Sequence, residues 1–132
     1  MGIRVGIDLA SVADVADALA LHGDRYLRRV FTDREVGECR DAGGGVDPER
    51  LAARFAAKEA ALKALAAPPE FGLALTCIEV TTGRHGAPEV SLGERAAELA
   101  RSAGIGALSL SLTHEGAYAA AVVVAETGAV PA

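Results

Sequence analysis

Residues 54–65 read RFAAKEAALKAL and place Arg54, Lys58, Glu59 and Lys63 on one predicted helix. Lys58 and Lys63 are the only lysines in the chain, and both fall within four positions of Glu59. Charged heads of both signs on an alanine-rich helix suggest a site for a metal ion and a phosphorylated ligand. Glu59 and Lys63 are also spaced i,i+4 in the favourable order, which stabilises a helix by about 0.2–0.5 kcal/mol, so a solvated helix face would read the same way. Two distant segments favour chemistry. GIDLASV carries Asp8 at the end of a strand, and LSLTHEGAYAAAVV carries His114 where a strand enters a turn. Functional groups commonly sit at such element ends, held by a rigid scaffold. Each of these residues has a bland reading: Asp8 as a cap for the next helix, His114 as a turn histidine. Joint occurrence is what favours a site.

The chemistry suits these residue types. Magnesium prefers hard oxygen ligands and keeps open positions for water and substrate phosphates, so Asp8 and Glu59 with a diphosphate form a sensible set. Phosphoryl transfer needs positioning and charge neutralisation more than covalent help, which a metal, Lys63 and His114 can supply. A hydroxyl nucleophile also needs a proton acceptor, either Glu59 or a metal-bound water.

The elements that must hold these groups can be read from pattern. Ile3–Leu9 alternates as a strand. Ser11 caps a helix to about Leu21, with Val12, Val15, Ala16 and Leu19 on one face. Asp24 starts another turn with Arg25, Arg28 and Arg29 outward. Thr32 and Glu35 match a capping box, predicting a short helix over 33–41. Gly43–Gly45 is a loop, and Asp47-Pro48 opens the long helix to about Ala67, stopped by Pro68-Pro69. A strand over 74–82, a turn over 83–86, a strand over 88–92 and a helix over 94–103 follow. A hairpin over 108–126 turns around His114-Glu115-Gly116, with Tyr118 in sheet packing and at most one of Ser111 and Thr113 reaching a ligand. This order predicts an α+β fold: one domain over 1–126, a small, mostly antiparallel sheet packed against helices, and a frayed tail over 127–132.

Composition limits the function. The chain has 132 residues, 51% of them hydrophobic, which allows a real core and argues against disorder. The apolar side chains are mostly small, so part of the stability is expected from subunit contacts. A net charge of −5 disfavours nucleic acid and anionic membrane as partners. Any phosphate site must therefore be a local basic pocket. Apolar runs are too short to span a bilayer, and no signal-peptide pattern is present. The expected location is cytoplasmic, with Cys39 and Cys77 as reduced thiols. His22 and His85 have no motif support.

Together the three segments resemble the holo-acyl-carrier-protein synthase family of short 4′-phosphopantetheinyl transferases. The match consists of GID near the start, RFAAKEA with a following Lys-Ala, and Ser-Leu-Thr-His ahead of the Tyr-Ala-Ala-Ala strand. FTDRE and Gly86-Ala87-Pro88 add to it, over about residues 3–126. The resemblance implies magnesium-dependent transfer of the phosphopantetheine arm of coenzyme A to a serine of an acyl or peptidyl carrier protein. Adenosine 3′,5′-bisphosphate would be left behind. It also implies a homotrimer with sites between subunits. Asp8 and Glu59 would be the magnesium ligands; Arg54, Lys58, Lys63 and His114 would contact coenzyme A phosphates or the transfer centre. The chain departs from the family at Ser11, usually acidic, and at Asp14, often an arginine that resembles a docking residue for the carrier's acidic helix. Arg25, Arg28 and Arg29 could take over docking, or the partner is a polyketide or peptide-synthase carrier rather than a fatty-acid one. The alternative is a weakly active or non-catalytic trimeric homologue serving as a nucleotide-binding or interaction protein.

Overall fold

The computed structural model describes residues 2–128. The chain runs β1 (Gly2–Ser11), α1 (Val12–His22), α2 (Asp24–Val30), α3 (Asp33–Glu38) and α4 (Pro48–Leu65). It continues with β2 (Ile78–Thr82), β3 (Pro88–Leu92), α5 (Glu94–Ser102), β4 (Ile105–Glu115) and β5 (Tyr118–Thr127). The strands form two antiparallel sheets rather than one: β1-β5-β4 and the hairpin β2-β3. The α+β expectation holds. No helix among the described residues is long and apolar enough to cross a membrane.

The centre of the molecule is α4, buried on most of its circumference by Leu51, Ala52, Ala53, Ala56, Ala57, Ala60, Ala61, Ala64 and Leu65. Alanine suits this position because it allows close approach on several sides at once. It lies on one face of the larger sheet, where Ala119, Ala121, Val123 and Ala125 of β5 are buried beneath it. Contact with β1 is closest at Gly6, where an added Cβ would fall 1.9 Å from the Ala60 carbonyl oxygen. The glycine of GID therefore lets the helix backbone settle on the strand two residues from Asp8. The opposite sheet face presents Ile3, Val5, Ile7 and Leu9, each at least 60% exposed.

Capping follows the sequence. Ser11 accepts from the Asp14 amide, both halves of the Thr32–Glu35 capping box form, and Asp47 caps α4 ahead of Pro48. Several boundaries differ from expectation. β1 continues to Ser11 because β5 pairs with it throughout, from Gly2↔Thr127 to Ser11↔Tyr118. Thr127 is thus part of a strand; the rest of the expected tail, from 129, lies outside the described residues. α3 stops at Glu38, since Asp41 turns its carboxylate to the Gly43 and Gly45 amides and builds the loop. The strand over 74–82 begins only at Ile78, which pairs with Leu92; beyond that pair β3 gives way to the cap of α5, so Leu75–Cys77 forms a 3₁₀ turn. The β4–β5 hairpin forms around Gly116 at φ 59, the left-handed position that a tight two-residue loop needs.

Candidate functional site

Asp8 leaves β1 on the face that carries α4, and one turn of α4 presents Glu59 and Lys63 to it. Lys63 Nζ donates to the Ile7 carbonyl at 2.8 Å and lies 3.3 Å from Asp8 Oδ1. Among the described residues its ion pair is thus with the strand, not with Glu59 at i−4. Partial burial pushes the Glu59 carboxyl above its usual range, the Asp8 charge pushes it further, and Lys63 offsets part of the rise. Two carboxylates therefore feel one another's charge beside a single lysine, 55% exposed. This arrangement is electrostatically incomplete in a way that a divalent cation with hard-oxygen preference would relieve. No cluster of three or more His, Cys, Asp or Glu that could hold a metal exists among the described residues. A metal here would need oxygen ligands from substrate and water.

Arg54 and Lys58 face the other way, and Lys58, expected at a phosphate, is enclosed by the protein. Its side chain is fully buried; Nζ donates at 2.6 Å to Glu35 Oε1 and at 2.6 Å to the Ile78 carbonyl, and lies over the Phe31 ring. Desolvation lowers its pKa, with the Glu35 charge and hydrogen bond opposing. No face of the amine remains for a ligand. Arg54 is more ambiguous in position: Nε donates to the Val80 carbonyl at 3.2 Å and Nη2 to Glu38 Oε1 at 2.7 Å, yet the side chain lines a cleft of about 290 Å³. Thr82, Gly86, Pro88 and Ser111 also line that cleft.

The partners of Arg54 and Lys58 are residues that sequence reasoning did not single out for this role. Glu35 accepts from the Thr32 amide, Lys58 and the Val80 amide; Glu38 accepts from Arg54 and the Thr82 amide. The four side chains occupy alternate groups along the edge of β2 that β3 does not pair, standing in for a neighbouring strand. The signal available was the i,i+3 spacing of Glu35 and Glu38 on α3 against the i,i+4 spacing of Arg54 and Lys58. The capping box accounted for Glu35 locally and hid its second use.

His114 lies elsewhere. Its Nδ1 is 3.2 Å from Glu49 Oε1 at the start of α4, with both side chains substantially exposed. It belongs to β4, the edge strand opposite β1, with β5 between them. A single chain therefore does not bring His114 to Asp8 and Glu59. Arg25, Arg28 and Arg29 point outward from α2 as expected, and Asp14 is exposed in the first turn of α1.

The 4′-phosphopantetheinyl transferase superfamily matches residues 4–123. A holo-[acyl-carrier-protein] synthase of Moorella thermoacetica is 42% identical over 130 residues, covering 95% of this chain and 94% of the relative. That of Frankia casuarinae is 44% identical over 125 residues, covering 95% and 98%. The fold is similar to a Chronobacterium ammoniagenes ACPS-CoA complex, with a TM-score of 0.81 and 31% identity over 98% of this chain and all of the other. It is also similar to the Helicobacter pylori holo-[acyl-carrier-protein] synthase in complex with coenzyme A, with a TM-score of 0.78 and 28% identity over 92% and 99%.

Proposed function

The chain belongs to the holo-[acyl-carrier-protein] synthase family, a phosphopantetheinyl transferase family, and from that premise we propose how its own residues carry out the transfer. The substrate is coenzyme A, the acceptor a serine hydroxyl of a carrier protein, and the second product adenosine 3′,5′-bisphosphate. The docking of Lys63 of α4 on Asp8 and the Ile7 carbonyl of β1, one helical turn from Glu59, is the observation that carries this reading, and the Asp8 charge adds to the raised Glu59 carboxyl.

Asp8 and Glu59 fit a magnesium ion, which when bound would neutralise diphosphate charge and orient the phosphorus for in-line attack. Lys63, held against Ile7 and Asp8 of β1, adds a positive charge beside the same diphosphate. Arg54 meets phosphate at the rim of its cleft. Glu59, more basic than an ordinary glutamate, is suited to accept the serine proton as the oxygen–phosphorus bond forms and the bond to the nucleotide breaks.

His114 joins this set across a subunit boundary. The four exposed aliphatic side chains of β1 and the half-exposed Tyr118 form an apolar sheet face that another copy of the chain would cover. A homotrimer closing on that face would put His114 of one protomer beside Asp8 and Glu59 of the next. The protein is incubated with coenzyme A and purified apo carrier proteins, with and without magnesium, and the carriers are weighed by mass spectrometry. A gain equal to one phosphopantetheine arm that needs magnesium is expected. A gain unaffected by chelation removes the metal from the scheme.

A further inference from the structure

We propose that Glu38 is a positioning residue that fixes the Arg54 guanidinium at the cleft rim and so sets the affinity for coenzyme A. The proposal rests on the reading of Arg54 as a phosphate contact. A guanidinium is a rigid planar fork, so fixing two of its nitrogens fixes the direction of the third. Nε is tied to the Val80 carbonyl at 3.2 Å, and Nη2 to Glu38 Oε1 at 2.7 Å. Among the described residues the only other partner of Nη2 is Thr82 Oγ1, at a weak 3.4 Å. Nη1 has no hydrogen-bond partner among the described residues, while no fully buried side-chain polar atom lacks one. Nη1 is therefore the open corner of the fork, on a side chain that lines the cleft.

Glu38 is well placed to act as the anchor. The oxygen that accepts from Arg54 also accepts from the Thr82 amide at 2.9 Å, which ties the guanidinium to the end of β2. Its other oxygen lies 3.6 Å from Arg34 Nε. Partial burial works to raise this carboxyl, but the Thr82 amide, the Arg54 hydrogen bond and the charges of Arg54 and Arg34 outweigh it and keep it ionised. A carboxylate beside a phosphate-binding arginine has two opposed effects: it orients the guanidinium, and its charge weakens attraction for an anion. The proposal is that orientation dominates.

Two conservative variants separate these effects. Glu38→Asp keeps the charge and withdraws the oxygen by one methylene; Glu38→Gln keeps the shape and removes the charge. Coenzyme A affinity is measured by titration calorimetry on the folded variants, with kcat and both KM values from carrier modification. Orientation predicts that E38D weakens coenzyme A binding about threefold to tenfold, the scale of one well-aligned hydrogen bond. It also predicts that E38Q stays within about twofold of the parent, and that carrier KM and kcat change little in either. E38D at parental affinity, or E38Q no better than E38D, overturns the proposal. Arg54→Ala is measured alongside. If R54A binds coenzyme A normally, the phosphate reading of Arg54 fails and takes the proposal with it. If R54A binds weakly while E38D is normal, only the role of Glu38 fails.

Discussion

The Arg54–Lys58 side of α4 carries two cations and its Glu59–Lys63 side a carboxylate and a cation, each pair at i,i+4 spacing, and the two sides meet opposite fates. On the first side every charge has an opposite partner from α3, and the free edge of β2 is satisfied by the same four side chains. On the second, Glu59 faces Asp8, and one exposed lysine serves them both. A helix turns about 100° per residue, so adjacent Lys58 and Glu59 already lie in different environments. The first, sealed side is mostly scaffold: Lys58 is enclosed, and the Arg54 Nη1 corner at the cleft rim is what it leaves for a ligand. The open side is unbalanced, and only a ligand of the right charge completes it.

Breaking the sealed side should cost the fold. Lys58→Ala leaves the buried Glu35 without its cation, and such a loss typically costs about 3–5 kcal/mol. That is a large part of the stability of a small domain. Urea denaturation should show a much lower midpoint. Adding Glu35→Leu to Lys58→Met should recover only part of the loss, because the Thr32 and Val80 amides and the Ile78 carbonyl then lack their partners. Recovery to full parental stability would mean that the pair does not serve the edge of β2.

Breaking the open side should cost activity and leave the fold. Asp8→Ala and Glu59→Ala are each expected to lower carrier modification on the order of 10²–10³-fold, the scale of one lost electrostatic contribution at a transfer centre. Their melting temperatures should equal or exceed the parent's, since each removes one of two facing carboxylates. An unfolded variant would place these residues in the scaffold instead.

The difference between the two sides explains what could be read from sequence. The caps were legible because they are local: Thr32 with Glu35, Ser11, and Asp47 before Pro48 each act within four residues. The hairpin before Tyr118 was legible for the same reason. The environment of Lys58 was not. Alanine on several faces of α4 leaves no amphipathic stripe from which to tell inside from outside, so all four charges looked equivalent. Their partners on α3 are 16 and 23 positions away, and only tertiary packing selects them. The Asp8–Glu59 side was legible through family resemblance rather than periodicity. Gly6 shows the physical need behind that motif: the strand must lie against the helix backbone for Asp8 to reach its partner.

The pH dependence of the open side sharpens the contrast further. Glu59 titrates above the ordinary glutamate value of 4.5 in the folded chain. Between that value and the raised one the folded state binds more protons than the unfolded, so stability falls as pH rises through this window. The full penalty is present above it. Magnesium binding to the ionised pair should offset the penalty, raising the melting temperature at neutral pH and progressively less as Glu59 protonates. Glu59→Gln should abolish the magnesium increment and raise the melting temperature without metal. A magnesium increment that persists unchanged in this variant would place the ion elsewhere.

In the proposed trimer His114 extends the comparison across protomers, because it lies away from the open side of its own chain. Mixing Glu59→Ala with His114→Ala chains in equal amounts and reassembling them should restore about a quarter of parental activity, the chance that a boundary pairs both intact residues. Reassembled mixtures that stay inactive would place His114 outside the shared site.

The smallest expected effect concerns charges without an ion-pair partner among the described residues. Asp14, Arg25, Arg28 and Arg29 are exposed on α1 and α2, and Asp14 follows Asp8 by only six residues. A carrier presenting an acidic helix beside its serine would be drawn by the arginines and repelled by Asp14. Asp14→Arg should therefore lower the KM for a generic fatty-acid carrier by about fivefold, or about 1 kcal/mol for an exposed pair. Coenzyme A affinity should not change. The gain should shrink as salt shortens the screening length to about 8 Å at physiological strength and below that at higher salt. A positive charge in the first turn of α1 opposes the helix dipole and should cost about 0.3–1 kcal/mol of stability. Unlike the sealed side, this position has no internal partner to lose, so the two effects are separable: stability falls slightly while docking improves. If carrier KM at low salt is unchanged in Asp14→Arg, the docking surface does not include α1, and the arginines of α2 alone set what attraction the carrier feels.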